Sequence, residues 1–286
     1  MRRRKSLSLV LALVLGLALV SAAAAQVAAL GPDNPANGFP KYVKDVNGVK
    51  LDLPVFPIGD GVTPPTMIFD PPIAGNAWSE ATGFGSEAFF FLSQSSMEVG
   101  NPQAPTGLAL VVMGVEAAYG AEVPRNVPPD QFLFVRLRIR IDAPSLGTYV
   151  VTTPWGPRTY VVDTDARRNI NDSMDWGGFA PIPNSTPPIA SSFERILVDP
   201  IPWRFLKGTL ATGVLDTEWV GDGVTIGPVT GGFNGVNIFR IDGPNIGGPG
   251  VNFVETDQFM VSGHIFQGPD EPRPSATRGA AVIPMF

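Results

Sequence analysis

Polar and apolar positions alternate most regularly in QFLFVRLRIRID, residues 131–142. Leu137, Ile139 and Ile141 share one parity and Arg136, Arg138 and Arg140 the other, the period of a strand with one buried face. The arginines then line the wet face. There they blunt an edge, pair with acidic neighbours, or form a stripe for a carboxylated or sulfated polymer. Phe132 has a different parity from Val135, which predicts a bulge near 133–135. Pro144 to Gly147 reads as a turn, and TYVVTT, WGP and RTYVVD continue as strand, turn and strand, so the region predicts a meander.

Other stretches follow the same logic. KYVKDV and VKLDLPVF flank Asn47-Gly48 and predict a hairpin. TGLALVVMGVEAAY (106–119) is apolar throughout and predicts a central strand buried on both faces. SEAFFFLSQSSM (86–97) fits a strand or a short helix. The helix is the favoured reading, with Ser86 as cap and Glu87 in the first turn. PPTMIFDPPIAGNAW predicts an irregular crossing loop, and GPNIGGPGVN (243–252) a glycine loop. FERILV, WRFLKG, LDTEWV, VNIFRID and QFMVSGHIF read as short strands. DTDARRNINDSMDWGG (163–178) is the polar break in the chain and suggests a domain boundary near 165. GDGVT at 59–63 and 221–225 reads as a recurrent turn rather than a duplication.

The fold class predicted is all-β: an antiparallel β-sandwich, jelly-roll or immunoglobulin-like, with at most a short helix near 86–97. The expected organisation is a signal peptide at 1–25, a linker at 26–40, sandwich units at 41–165 and 166–266, and a flexible tail at 267–286. The 32 glycines and 30 prolines support turns between strands rather than long helices.

The N-terminus changes the context. Arg2, Arg3, Arg4 and Lys5 precede an apolar stretch from Leu7 to Val20, and small residues lead to a cleavage site after Ala25. This predicts a Sec-type signal peptide and a secreted, periplasmic or cell-surface location, with no membrane span after cleavage. Cleavage removes four of the 20 basic residues and none of the 26 acidic ones, leaving a net charge of about −10. Such a chain is a poor partner for nucleic acid or anionic lipid. With no cysteine and one histidine, His264, the sequence excludes thiol chemistry, disulfides and a multi-histidine metal site within the chain.

Candidate chemistry is sparse. Asp163, Asp165, Asn169 and Asp172 supply hard oxygens at close spacing, so calcium is the cation such a loop would take. The EF-hand pattern fails, because Arg168 stands where its turn glycine belongs. No other cofactor is implied. Trp155, Trp176 and Trp219 lie beside turns, where exposed rings would stack on sugars and buried ones would cap a core. Asp216 and Glu218 share a face of LDTEWV and are the carboxylates a glycan-active enzyme would use. His264 has no triad partners in its local sequence, no G-x-S-x-G elbow exists, and no catalytic residue is assigned.

NPANGFPKYVKDVNGVKLDL, FVRLRIRIDAPSLGTYVVTTPWG and NIFRIDGPNIGGPGVNFVETDQFMVSGHI together resemble a group of uncharacterised exported bacterial proteins of β-rich type. LGTYVV also looks like a strand of an immunoglobulin- or fibronectin-like sandwich. The resemblance implies export and a surface context and brings no catalytic residues. The expected function is a non-enzymatic extracellular or cell-surface module with a structural or adhesive role. Its partners would be an extracellular polymer, a surface protein or further copies of itself. The alternatives are a carbohydrate-binding module, with or without calcium, and a secreted glycan-active enzyme.

Overall fold

The computed structural model describes residues 29–53, 69–101, 104–120, 131–178, 193–198, 204–271 and 273. The signal segment, the first GDGVT, Trp203, the Pro-rich stretch 181–190 and the tail from 274 lie outside them.

The chain forms two antiparallel sheets, as an all-β sandwich requires. In chain order the strands are β1 (Ala29–Leu30), β2 (Val43–Lys44), β3 (Lys50–Asp52), β4 (Glu87–Asn101), β5 (Ala104–Tyr119), β6 (Gln131–Ile141), β7 (Gly147–Thr153), β8 (Gly156–Val162), β9 (Ile170–Gly177), β10 (Trp219–Gly227), β11 (Phe239–Asp242), β12 (Phe253–Thr256) and β13 (Phe259–Ile265). The larger sheet runs β1-β2-β3-β13-β4-β5-β6-β9, with β10 also paired to β13. The smaller runs β12-β11-β7-β8. Both draw strands from either side of residue 165.

The core lies between them. Val111, Met113 and Val115 of β5 and Val135, Leu137, Ile139 and Ile141 of β6 are buried in one cluster with Tyr149, Val151, Phe239 and Ile241 of the smaller sheet. The parity expected for β6 holds. Its register against β5 is unbroken from Gln131 to Ile141, so the expected bulge at 133–135 is absent. Phe132 and Phe134 instead share the arginine face and stack on each other at 5.5 Å. The bulge lies in β4, where pairing with β5 shifts between Phe89 and Phe91. It lets both Phe90 and Phe91 reach full burial.

From Glu87 on, the stretch expected as a helix is strand, paired with β5 along its length. The alternation is there, but the inward residues Ser93 and Ser95 are polar, so sequence periodicity does not show it. Ser95 Oγ donates to Gln258 O at 2.7 Å, which satisfies it on the buried face. A helix occurs earlier, α1 (Ala77–Thr82), which begins at the last two residues of the segment expected to be an irregular loop. Asn76 caps it by accepting from Ser79 N at 2.9 Å, and Gly83 ends it at φ +86°. FERILV yields a single helical turn, α2 (Arg195–Val198), and not a strand.

The expected meander also breaks. β7 and β8 pair as a hairpin, but β6 and β7 belong to different sheets. The chain crosses between layers over 142–146, and Tyr149 holds the corner. Its hydroxyl lies 2.7 Å from Ser145 O and 3.0 Å from Pro244 O. Its ring covers Gly243, where a Cβ would approach to 2.1 Å, so only glycine fits there.

β13 ties the larger sheet together. Met260 to Ser262 pair with β4, His264 and Ile265 pair with β3, and β10 lies along the other register. The stretch beyond it reads in the sequence as a flexible tail, yet its first residues are held. Lys44 Nζ reaches Asp270 Oδ2 at 2.5 Å, Lys50 Nζ donates to Gly268 O at 2.8 Å, and Arg273 pairs with Asp33. The buried Tyr42 hydroxyl sits 2.8 Å from Asp270. Burial first, and then the Asp270 bond, pushes it up to about 12.

Candidate functional site

β8 and β9 are the last strands of their sheets on one side of the sandwich. Among the described residues no strand bridges them, and their inward side chains meet at this mouth. On β9 the pleat sends Ile170, Asp172, Met174 and Trp176 inward and Asn171, Ser173 and Asp175 outward. On β8, Arg158 and Tyr160 share the inward parity with the buried Val162.

These rows interlock. Tyr160 Oη donates to Asp172 Oδ2 at 2.8 Å. The Arg158 guanidinium stands 5.9 Å from the centre of the Trp176 ring, within cation–π range. Burial and then the Asp172 carboxylate hold the Tyr160 hydroxyl well above the ordinary phenol value, so it stays a proton donor. Asp172, Met174, Trp176, Arg158 and Tyr160 are all half-buried, with both packed and accessible surface. The mouth thus offers an aromatic face, a carboxylate, a guanidinium and a phenol along one line.

At one end lies an open hollow of about 520 Å³, lined by Asp142, Ala143, Pro144, Asp165, Ala166 and Arg167. The 163–169 connection is fastened beside it. Asn169 exchanges two bonds with the Ala143 backbone, at 2.8 and 2.9 Å. Arg168 takes φ +53° and its N–H donates to Asp142 Oδ1 at 2.7 Å. The other oxygen of Asp142 accepts from Leu108 N at 3.0 Å.

Of the tryptophans singled out in the sequence, Trp176 alone keeps an accessible ring. Trp155 is buried beneath the β7–β8 turn, and its Nε1 donates to Arg204 O at 3.2 Å. Trp219 is buried edge-on against His264, 4.6 Å between ring centres. Both cap the core, the buried alternative foreseen for such rings. Of the four candidate calcium ligands, Asp163 and Asp165 are exposed, Asn169 serves Ala143, and Asp172 serves Tyr160. Among the described residues no three His, Asp or Glu side chains are grouped to hold a metal. Asp216 and Glu218 are exposed in a turn and not on a strand face, because β10 begins only at Trp219.

Three features escaped the sequence. His264 Nδ1 lies 2.7 Å from Asp52 Oδ1, a partner 212 residues away that only the β3–β13 register brings close. Arg158 and Tyr160 read as ordinary strand positions until β9 lies opposite. Glu116 is buried on the outer side of β5, with Gly114 leaving space for its carboxylate. Desolvation pushes it up to about 8, against the opposing pull of Arg136.

Compared with known proteins, the chain matches no family model, no curated protein and no solved structure.

Proposed function

We propose that this chain is an exported, non-enzymatic adhesive module of the cell surface, which holds an extended glycan along the β8–β9 mouth. The observation that carries this reading is the Trp176 ring under Arg158, in line with the Tyr160–Asp172 pair. An aromatic face stacks on the apolar side of a sugar ring, while carboxylate, phenol and guanidinium take its hydroxyls. The row lies on paired strands rather than on a mobile loop, which preorganises it. A polymer running along β9 from Trp176 to Ile170 would meet about 20 Å of strand, enough for several sugar units. The hollow at Asp165 and Arg167 extends the track.

A panel of neutral and acidic polysaccharides, with and without calcium, tests this by thermal shift and direct titration. A glycan at a hundred times its dissociation constant adds about 2.7 kcal/mol of stability. The expected result is a glycan-dependent shift that Trp176→Ala weakens by on the order of tenfold, since losing one stacked ring costs about 1–2 kcal/mol. Binding that survives Trp176→Ala and Asp172→Asn unchanged would move the site elsewhere. No shift with any glycan would leave a purely structural role.

A further inference from the structure

The outer face of β6 carries a second surface, on the opposite side of β9 from the mouth. Arg136, Arg138 and Arg140 stand there in cross-strand register with Asp175, Ser173 and Asn171. Their partners differ in kind. Arg136 makes a two-pronged ion pair with Asp175, at 2.8 and 2.7 Å, and is neutralised. Arg138 donates from Nε to the Ser173 hydroxyl at 3.3 Å, and Arg140 donates from Nε to the Asn171 amide oxygen at 3.2 Å. Both partners are uncharged, and both bonds use the nitrogen nearest the stem. They orient each guanidinium and leave its terminal fork to face something else.

Arg168 adds a third charge from the connection before β9. Its N–H is held by Asp142, two residues beyond Arg140, which places it at the end of the row; desolvation, and then the positive fields of Arg138 and Arg168, lower Arg140 below the ordinary arginine value. Among the described residues no carboxylate side chain pairs with any of the three. Asp142, one residue past β6 and on the parity of Arg140, keeps its charge at the end of the row but turns its two oxygens to the backbone N–H groups of Arg168 and Leu108. In a chain with 26 acidic and 20 basic residues, arginines held in register without a carboxylate partner are not the default outcome.

We propose that Arg138, Arg140 and Arg168 form an oxyanion-binding patch for an acidic polysaccharide. Successive same-face residues on a strand lie about 7 Å apart, so the patch presents a fixed ladder of forks. Each fork suits a carboxylate or sulfate two oxygens at a time. Exposed Asn171 and Ser173 on the adjacent β9 flank the arginines with partners for sugar hydroxyls. Nucleic acid is the less favoured polyanion, because three arginines are few against a duplex carrying a charge about every 1.7 Å, and the mature chain's net charge of about −10 repels it. This surface does not depend on the β8–β9 mouth, and either can fail alone.

The test measures binding of the full mature chain to polygalacturonate, dextran sulfate, neutral dextran and duplex DNA. Titrations are run at about 20 and about 150 mM NaCl, bracketing the screening lengths that matter. The expected result is binding to at least one acidic polysaccharide, weakened by salt and reduced on the order of tenfold by Arg138→Gln with Arg140→Gln. Arg168→Ala is expected to reduce it further. The double arginine variant should keep its melting temperature and its affinity for any neutral glycan. Absence of acidic-polymer binding overturns the proposal. So does binding indifferent to the double variant, or DNA bound as tightly as the polysaccharides. Neutral glycan binding without acidic binding would sink the patch while leaving the mouth intact, and the converse would do the reverse.

Discussion

Arg240 and Arg140 occupy equivalent situations and have opposite surroundings. Each projects from the outer face of a strand, one on the smaller sheet and one on the larger. Arg240 is clamped. Asp242 takes two of its nitrogens at 2.8 and 2.6 Å, Glu255 a third at 2.8 Å, and its carbon lies 4.3 Å from the Phe253 ring centre. Those bonds hold it well above the ordinary arginine value. Arg140 has one neutral acceptor and two like-charged neighbours. The same residue type serves as a structural bolt on one sheet and as an open charge on the other. The difference is made by the residues beside each arginine: Asp242 on its own strand β11 and Glu255 on β12 serve Arg240, whereas β9 offers Arg140 only the Asn171 amide. Arg136 lies between the extremes, bound to Asp175 and facing the buried Glu116.

The largest effect is expected at Glu116, where this contrast becomes a buried charge. Its folded value, about 8, lies above the unfolded value of 4.5. Such a group favours folding fully below pH 4.5, and the benefit drains away as pH rises through 8. Stability should therefore fall by roughly 3–5 kcal/mol between about pH 5 and pH 9 from this group alone. Glu116→Gln should flatten that slope and exceed the native chain at pH 9. Urea unfolding at about pH 5, 7 and 9 measures both, and a native chain as stable at pH 9 as at pH 5 would refute the assignment.

A smaller effect is expected at the bolt. Arg240→Ala frees two carboxylates and one aromatic face on an exposed surface, and should lower Tm by roughly 2–3 °C at low salt and less at high salt. The smallest is expected at the open charges. Arg138→Gln with Arg140→Gln should move Tm by less than about 1 °C, since no ion pair is lost. A calorimetric drop larger than that of Arg240→Ala would make the β6 row structural and erase the contrast.

The alternation of β6, the β7–β8 hairpin, β11 and β13 were legible because an inward apolar row faces an outward polar one. β4 was not, because its inward serines hide the period and its bulge interrupts it. α1 was missed because six residues are too few to show a helical period, although Asn76 and Gly83 mark its ends. The candidate site was half legible. Trp176 and Asp172 stood out by type, but 163–178 read as a linker, so their shared face was invisible. Arg158, Tyr160 and the His264–Asp52 bond depend on strand order, which local patterns do not encode.

The position of β13 has a consequence for how the chain matures. It joins β3, β4 and β10, so the N-terminal hairpin and the long β4–β5 ribbon share no ladder until residues 259–265 arrive. Contacts spanning some 200 residues make folding slow, because loop closure precedes any reward. A chain leaving a ribosome or a translocation pore from its N-terminus would present open sheet edges through most of its passage. Consolidation would come late, once the last described strand is threaded into place.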